Sequence, residues 1–375
     1  MIVLHIEKMD NKSLKILFLP NWRVARLEKD DDLLQAPDKF VEGMPYWFFK
    51  HFKVQPTVDV IDIGQENWWR RMEHKIKFYI WQPLKAFVHR NRYDVVISHG
   101  AQSGLFYELL ASLCGKKPLH VMFDIGGLNG ARINKIETPL IKFAMRKSPV
   151  IIVHSSRQLD FYKQYYPKLY EMAYFVPFGT DFEYFSDTTG NHATQQHLLL
   201  SVGYAKRDYK TLCEAWRCAN VGNYRLQIVG DTSLAEQYKD CSSIEFLSKI
   251  PIAQLMSLTR RCAAVVVPLP EYKYSYGQMT ILQSMAMSKP MIVTSTTSTI
   301  DYTSKAPGVL SVEHGNVASM KQAIEKMCLM SDEQLKEMGE KNQDYVKSHF
   351  NERLMAQKIE EIITKNIIHN DETLC

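Results

Sequence analysis

The chain has 375 residues, enough for two domains that each bury a core, and its 46% hydrophobic and 23% charged residues exclude a disordered or fibrous protein. A net charge of +5 is too small to argue for a nucleic-acid partner. Residues Met1 to Asp10 lack the features of a signal peptide, and no apolar run elsewhere reaches the ~20 residues of a membrane-spanning helix, so a cytoplasmic protein is expected.

Apolar runs of strand length alternate with longer segments of helical spacing, the pattern of parallel sheets wound with helices on both faces. The first series comprises Lys15 to Leu19, Val58 to Ile61, Val95 to Ser98, Leu119 to Phe123 and Val150 to His154. Within it, from Glu66 to Arg92, the cations Arg70, Arg71, Lys75, Lys77, Lys85, Arg90 and Arg92 face only Glu66 and Glu73, and Trp68, Trp69, Phe78, Tyr79, Trp81 and Phe87 interleave with them. Such a segment suits the headgroup layer of an anionic membrane; equally, the aromatic residues can fill a core while the cations stay wet.

Pro177 to Asp181 and the polar stretch Asp187 to Gln196 interrupt the pattern, placing a boundary there. The second series comprises Leu198 to Val202, Leu226 to Val229, Ile244 to Leu247, Ala263 to Val267 and Met291 to Val293. Ser331 to Thr364 reads as helix, with Ser331 as N-cap and an acidic first turn. Seven cysteines, without metal-ligand spacing, read as reduced and mostly buried thiols. The expected protein is therefore α/β, with two doubly wound Rossmann-like domains at 1–185 and 186–345 and a helix and tail at 346–375. A ligand cleft is expected at the carboxyl ends of the strands.

The chemistry concentrates between Ala263 and Val293. Gly277 lets backbone approach a ligand, and the amides of Gln278, Met279 and Thr280 open a helix whose positive end suits a diphosphate. Gln283, in the same helix, offers an amide to ribose hydroxyls. After the strand ending near Gly203, Lys206, Arg207 and Lys210 put three cations at the cleft end of a strand, suited to an anion, Arg207 being favoured over the lysines.

Ser284-Met285-Ala286-Met287-Ser288-Lys289-Pro290 resembles the "E-A-M-A-x-G-K-P" signature of the group 1 (GT4-like) retaining glycosyltransferases. Leu199 to Leu212, Ile228-Val229-Gly230-Asp231, Ile244 to Pro251 and Val176 to Asp181 resemble further segments of that family in order. The resemblance covers most of residues 95 to 350. It implies the GT-B fold, two Rossmann-like domains facing across a cleft, with the C-terminal helix packing back on the first. It also implies retaining hexosyl transfer from a nucleotide-sugar to a glycan or lipid-linked acceptor, as in polysaccharide synthesis at the inner face of a membrane. Gly203, Gly230 and backbone groups around Lys249 and Ile250 would join the donor contacts, and no metal or other cofactor is expected. On the acceptor side the candidates are Asn21, Trp22 and His99; Asp124, where relatives often carry histidine near the sugar, is with Arg207 a catalytic candidate, or equally an aspartate that opens a loop before two glycines. Ser275, Gln283 and Tyr204 replace the family's two glutamates and its first arginine. Those replacements keep open a catalytically silent subunit partnering an active transferase, with a nucleotide-sugar epimerase as a further alternative. Glu271 is a candidate to supply the missing charge.

Overall fold

The sequence Lys15–Leu19 buries four consecutive apolar side chains, which suits a strand covered on both faces. A computed structural model describes residues 13–31, 34–64, 68–76, 79–113, 118–128, 137–147, 149–186 and 197–372. The chain divides into two units, Met1–Pro177 with Arg353–Cys375, and Phe178–Glu352. The first holds β1 (Lys15–Leu19), β2 (Ala25–Leu27), β3 (Lys39–Val41), β4 (Thr57–Val60), α1 (Trp68–Ile76), α2 (Trp81–His89), β5 (Val95–His99), α3 (Ala101–Ser112), β6 (Leu119–Phe123), α4 (Glu137–Ala144), β7 (Val150–Val153), α5 (Gln158–Tyr165), α6 (Pro167–Tyr170) and β8 (Ala173–Phe175). The second holds α7 (Phe182–Ser186), β9 (Leu198–Gly203), α8 (Tyr209–Cys218), β10 (Arg225–Gly230), β11 (Ile244–Leu247), α9 (Ile252–Arg261), β12 (Ala264–Val267), α10 (Gln278–Ala286), β13 (Met291–Ser295), α11 (Ile300–Thr303), β14 (Val309–Glu313), α12 (Val317–Cys328) and α13 (Asp332–His349). The last helix, α14 (Glu352–Glu372), belongs almost wholly to the first unit, where Glu360 accepts the Lys53 amide at 3.0 Å.

Each unit is built on a six-stranded parallel sheet, β4-β1-β5-β6-β7-β8 in the first and β11-β10-β9-β12-β13-β14 in the second. In the second sheet Leu198, Leu200 and Val202 pack on one face with Leu282 and Met285, while Leu199 packs on the other with Leu212 and Trp216. Side chains of a strand alternate between faces, so this one run feeds two cores. The strand order reverses between β9 and β12 in the second sheet and between β1 and β5 in the first, and a crevice at the carboxyl ends of those strands is where doubly wound sheets bind ligands.

The two expected strand series form, with ends displaced by a residue or two. Four strands, β2, β3, β8 and β14, were not expected. The single helix expected from Ser331 to Thr364 is two. Ser331 does cap α13, its hydroxyl accepting the Gln334 amide at 3.3 Å while the Gln334 side chain accepts the Ser331 amide at 2.9 Å. The break at Phe350 and Asn351 arises because Thr180 takes the local backbone groups: its amide donates to Phe350 O at 2.9 Å and its carbonyl accepts from the Glu352 amide at 2.8 Å. Of the five described cysteines, all free, only Cys213 and Cys262 are buried. Cys114, Cys375, Glu66, Lys77, Phe78 and the stretch Asp187 to Gln196 lie outside the described residues.

Candidate active site

At the switch point of the second sheet, β9 ends on Gly203 and the chain turns through Tyr204, Ala205 and Lys206 to Arg207. Arg207 folds back across Gly203, donating Nε to Val202 O at 3.1 Å and Nη2 to Thr280 Oγ1 at 3.1 Å. A Cβ on Gly203 would sit 2.4 Å from that Nε, so this position stays bare to seat the guanidinium. The Tyr276 ring lies under the guanidinium at 5.3 Å, and its hydroxyl donates to Ala205 O. A strand end, a basic loop and the first turn of a helix are thus tied together by one arginine.

Gly277 adopts φ +86°, a left-handed conformation that demands glycine, and a Cβ there would also press on Leu269 Cδ1 at 2.6 Å. It begins α10 without a capping side chain, and the first-turn amides of a helix have no intrahelical acceptor. Gln278 is buried and donates Nε2 to Ser298 O at 2.7 Å, so its side chain serves the fold and only its backbone is available to a ligand. Met279 is exposed, and Gln283 is half-buried one turn further on. The N-terminus of α10 and Arg207 together form a site of positive potential suited to an anion.

Lys206 lies beside this site. Its ammonium donates to Tyr274 Oη at 3.0 Å and sits 5.6, 5.0 and 5.1 Å from the rings of Tyr272, Tyr274 and Tyr276. Sequence reasoning passed over Tyr272 and Tyr274; the alternation 272, 274, 276 was the available signal, since every second residue of an extended segment faces one way. Gly230 pairs with Gly203 across the strands, the Tyr204 ring lies against it, and Lys249 rests 5.8 Å from that ring, next to Ile250. Lys210 is not part of the cluster. It is an exposed residue of α8, 4.0 Å from Glu214, because Asp208 caps the helix and turns that position outward. Glu271 accepts the Thr297 amide at 3.0 Å and so fastens the turn after β13. Lys289, within the resembled signature, donates to Arg260 O at 2.6 Å and Cys262 O at 3.0 Å, a structural role in which burial lowers its pKa. Ser288, where that signature has glycine, stands at φ +58°.

In the first unit, His99 ends β5 at the other switch point. Its Nδ1 lies 3.3 Å from Asn21 Oδ1, and its ring meets Trp22 edge-on at 4.7 Å and stacks on Phe123 at 5.6 Å. The three acceptor-side candidates therefore do cluster. Enclosure by aromatic rings, with His154 nearby, lowers the His99 pKa to about 3, so it is neutral near pH 7. Asp124 is fully buried: Oδ1 accepts the amides of Gly126 and Leu128 at 3.1 and 3.3 Å, and Oδ2 accepts Gln158 Nε2 at 3.0 Å and Tyr162 Oη at 2.6 Å. This carboxylate is occupied in holding its loop. Among the described residues no three His, Cys, Asp or Glu side chains gather where a metal ion would sit.

Residues 196–329, which include every element from β9 through α12, match the family described as glycosyl transferases group 1. The match covers about a third of the chain, within the second unit, and the two parallel Rossmann-like units are those of the GT-B fold. Among solved structures it is similar to a glycosyltransferase from Rickettsia africae, at 15% identity and TM-score 0.66 over 95% of this chain and 99% of that one. It is similar to Anabaena Alr3699/HepE, solved with UDP and glucose, at 14% identity and TM-score 0.65 over 94% and 100%. A sucrose-phosphate synthase from Thermosynechococcus elongatus gives 15% and 0.61 over 96% and 99%. No curated protein matches the chain in sequence.

Proposed function

We propose that the chain is a retaining glycosyltransferase that moves a hexosyl group from a nucleotide-sugar to an acceptor hydroxyl of a glycan or lipid-linked saccharide, without a resident metal or cofactor. The observation that carries this reading is the Arg207 guanidinium fixed 3.1 Å from Thr280 in the uncapped first turn of α10. As the sugar–phosphate bond breaks, negative charge grows on the departing diphosphate, and a preorganised guanidinium with helix amides stabilises that charge. Lys206 stands ready to add a second cation. The acceptor hydroxyl attacks the anomeric carbon from the face the diphosphate leaves, giving its proton to a diphosphate oxygen. In this reading Asn21, Trp22 and His99 meet the acceptor, with neutral His99 as a hydrogen-bond partner, while Asp124 shapes the loop behind them. A lipid-linked acceptor requires the chain to reach the cytoplasmic face of a bilayer.

UDP-glucose is the first donor to try, given the UDP and glucose in the Anabaena neighbour. The purified chain is incubated with UDP-, GDP- and ADP-sugars, and nucleotide release is followed with and without cell-derived lipid and glycan acceptors. Acceptor-dependent release supports the proposal. A second reading, a silent subunit, is favoured by Ser275, Gln283 and Tyr204, since an amide at 283 binds ribose but brings no negative charge. Nucleotide binding without release under any condition would point there, and an epimerised donor formed without acceptor would point to an epimerase.

A further inference from the structure

Helix α1 wears its polarity inside out, and α2, although Pro83 and Ala86 face the core, leaves large apolar side chains on its outer face. In α1 the inward positions hold charge: Arg70 and Glu73 are buried, 3.7 Å apart, with the Arg70 guanidinium 4.5 Å from the Tyr79 ring centroid. Glu73 Oε1 also accepts the amides of Ile80 and Trp81 at 2.8 and 2.9 Å, so it caps the start of α2. The outward positions hold Trp68, 59% exposed, Trp69, 62% exposed, and Met72, the two indoles stacked at 4.1 Å. In α2, Gln82 points inward, donating to Pro20 O and Ile61 O at 2.7 Å each, while Trp81 at 60% and Val88 at 65% exposure lie outward with Leu84 between them. Positions 81, 84 and 88 share one face of a helix, and it is the face turned away from the core.

Large exposed apolar side chains concentrated on two consecutive helices, three of them indoles, mark an interaction surface. Its charge selects the partner. Arg71, Lys75, Lys85 and Arg92 are exposed on or beside the patch, whereas the one acidic residue in the described part of this segment, Glu73, is turned inward. Indole rings favour the boundary between headgroups and acyl chains, and cations around them favour anionic lipid. The Lys85 ammonium lies over the Trp81 ring, 5.5 Å from its centroid, which places a cation beside an exposed indole. We infer that the outward face of α1 and α2 docks on an anionic lipid bilayer, with Trp68, Trp69 and Trp81 as interfacial anchors and Arg71, Lys75 and Lys85 as the headgroup contacts. This surface is independent of the donor-site reading and stands or falls without it.

The test is co-sedimentation of the full chain with vesicles of phosphatidylcholine, with and without phosphatidylglycerol. Binding is expected only to the anionic vesicles, weakened about tenfold or more by a Trp68→Ala, Trp69→Ala, Trp81→Ala triple variant and separately by Arg71→Glu with Lys85→Glu. All five side chains are exposed, so both variants should keep the wild-type melting temperature, which is checked first. Absence of wild-type binding, or undiminished binding by both variants, overturns the inference. So does a wild-type dimer in sedimentation velocity that the tryptophan variant turns to monomer, since the face would then join two copies.

Discussion

Arg207 and Thr280 lie 73 positions apart in sequence and meet at 3.1 Å, guanidinium to hydroxyl, joining the loop after β9 to the first turn of α10. Thr280→Val keeps the side-chain volume and removes the acceptor. Loss of one such bond should cost about 1 kcal/mol of stability, and nucleotide affinity should fall as the guanidinium loses the hydroxyl that fixes it. Gly203→Ala should do more, since its new Cβ takes the space of Arg207 Nε. Calorimetric titration of both variants with the best-binding nucleotide measures the effect; unchanged affinity in Gly203→Ala would detach Arg207 from the donor.

Two backbone positions make opposite predictions for stability. Gly277→Ala forces a side chain into φ +86° and against Leu269, and should cost about 2 kcal/mol. Ser288→Gly relieves a left-handed serine at φ +58°, and should gain about 0.5 kcal/mol after the greater freedom glycine has when unfolded. Urea unfolding followed through the second unit distinguishes the two signs.

Asp124→Ala strands a tyrosine hydroxyl, an amide side chain and two backbone amides that now share one buried carboxylate. The expected loss is about 3 kcal/mol or more, against about 1 kcal/mol for Tyr162→Phe. A stable Asp124→Ala protein that binds nucleotide but has lost transfer would instead assign this carboxylate to the substrate.

The first unit should weaken in acid. An unfolded histidine takes a proton near pH 6.5, whereas burial holds the His154 pKa at about 4 and that of His99 at about 3. The unfolded chain therefore binds more protons across that interval, and stability falls as pH drops below about 6.5. His154 alone should account for about 2 kcal/mol between pH 7 and 5, a slope that His154→Gln removes. Chemical denaturation at several pH values reads it directly; a flat profile for wild type would show that both rings are protonated without cost.

What the sequence disclosed follows from how the signals arise. Central strands such as those holding Ile16 to Leu19 and Ala264 to Val267 announce themselves because both faces are buried, so these runs are wholly apolar. The three-residue strands Ala25–Leu27 and Ala173–Phe175 carry no fully buried side chain and leave no such mark. The break at Phe350 is set by Thr180, a partner 170 positions away that no local pattern reveals. At the site, Gly277 and Arg207 were legible from loop chemistry, and Asn21, Trp22 and His99 from their places at strand ends. The exposed place of Lys210 on α8 could not be read because it depends on the Asp208 cap, and Trp68 and Trp81 could not be placed inside or out until the burial of Arg70, Glu73 and Gln82 was known.

The central claim is that Arg207 and the start of α10 hold the diphosphate of a nucleotide-sugar. Isothermal titration of the wild-type chain and Arg207→Ala with UDP, GDP, ADP and their glucose conjugates tests it most directly. The account predicts that one nucleotide binds and that the substitution weakens it at least about tenfold, the loss of a charge-assisted contact. A folded wild-type protein that binds none of them, or an Arg207→Ala variant that binds as tightly as wild type, would contradict it.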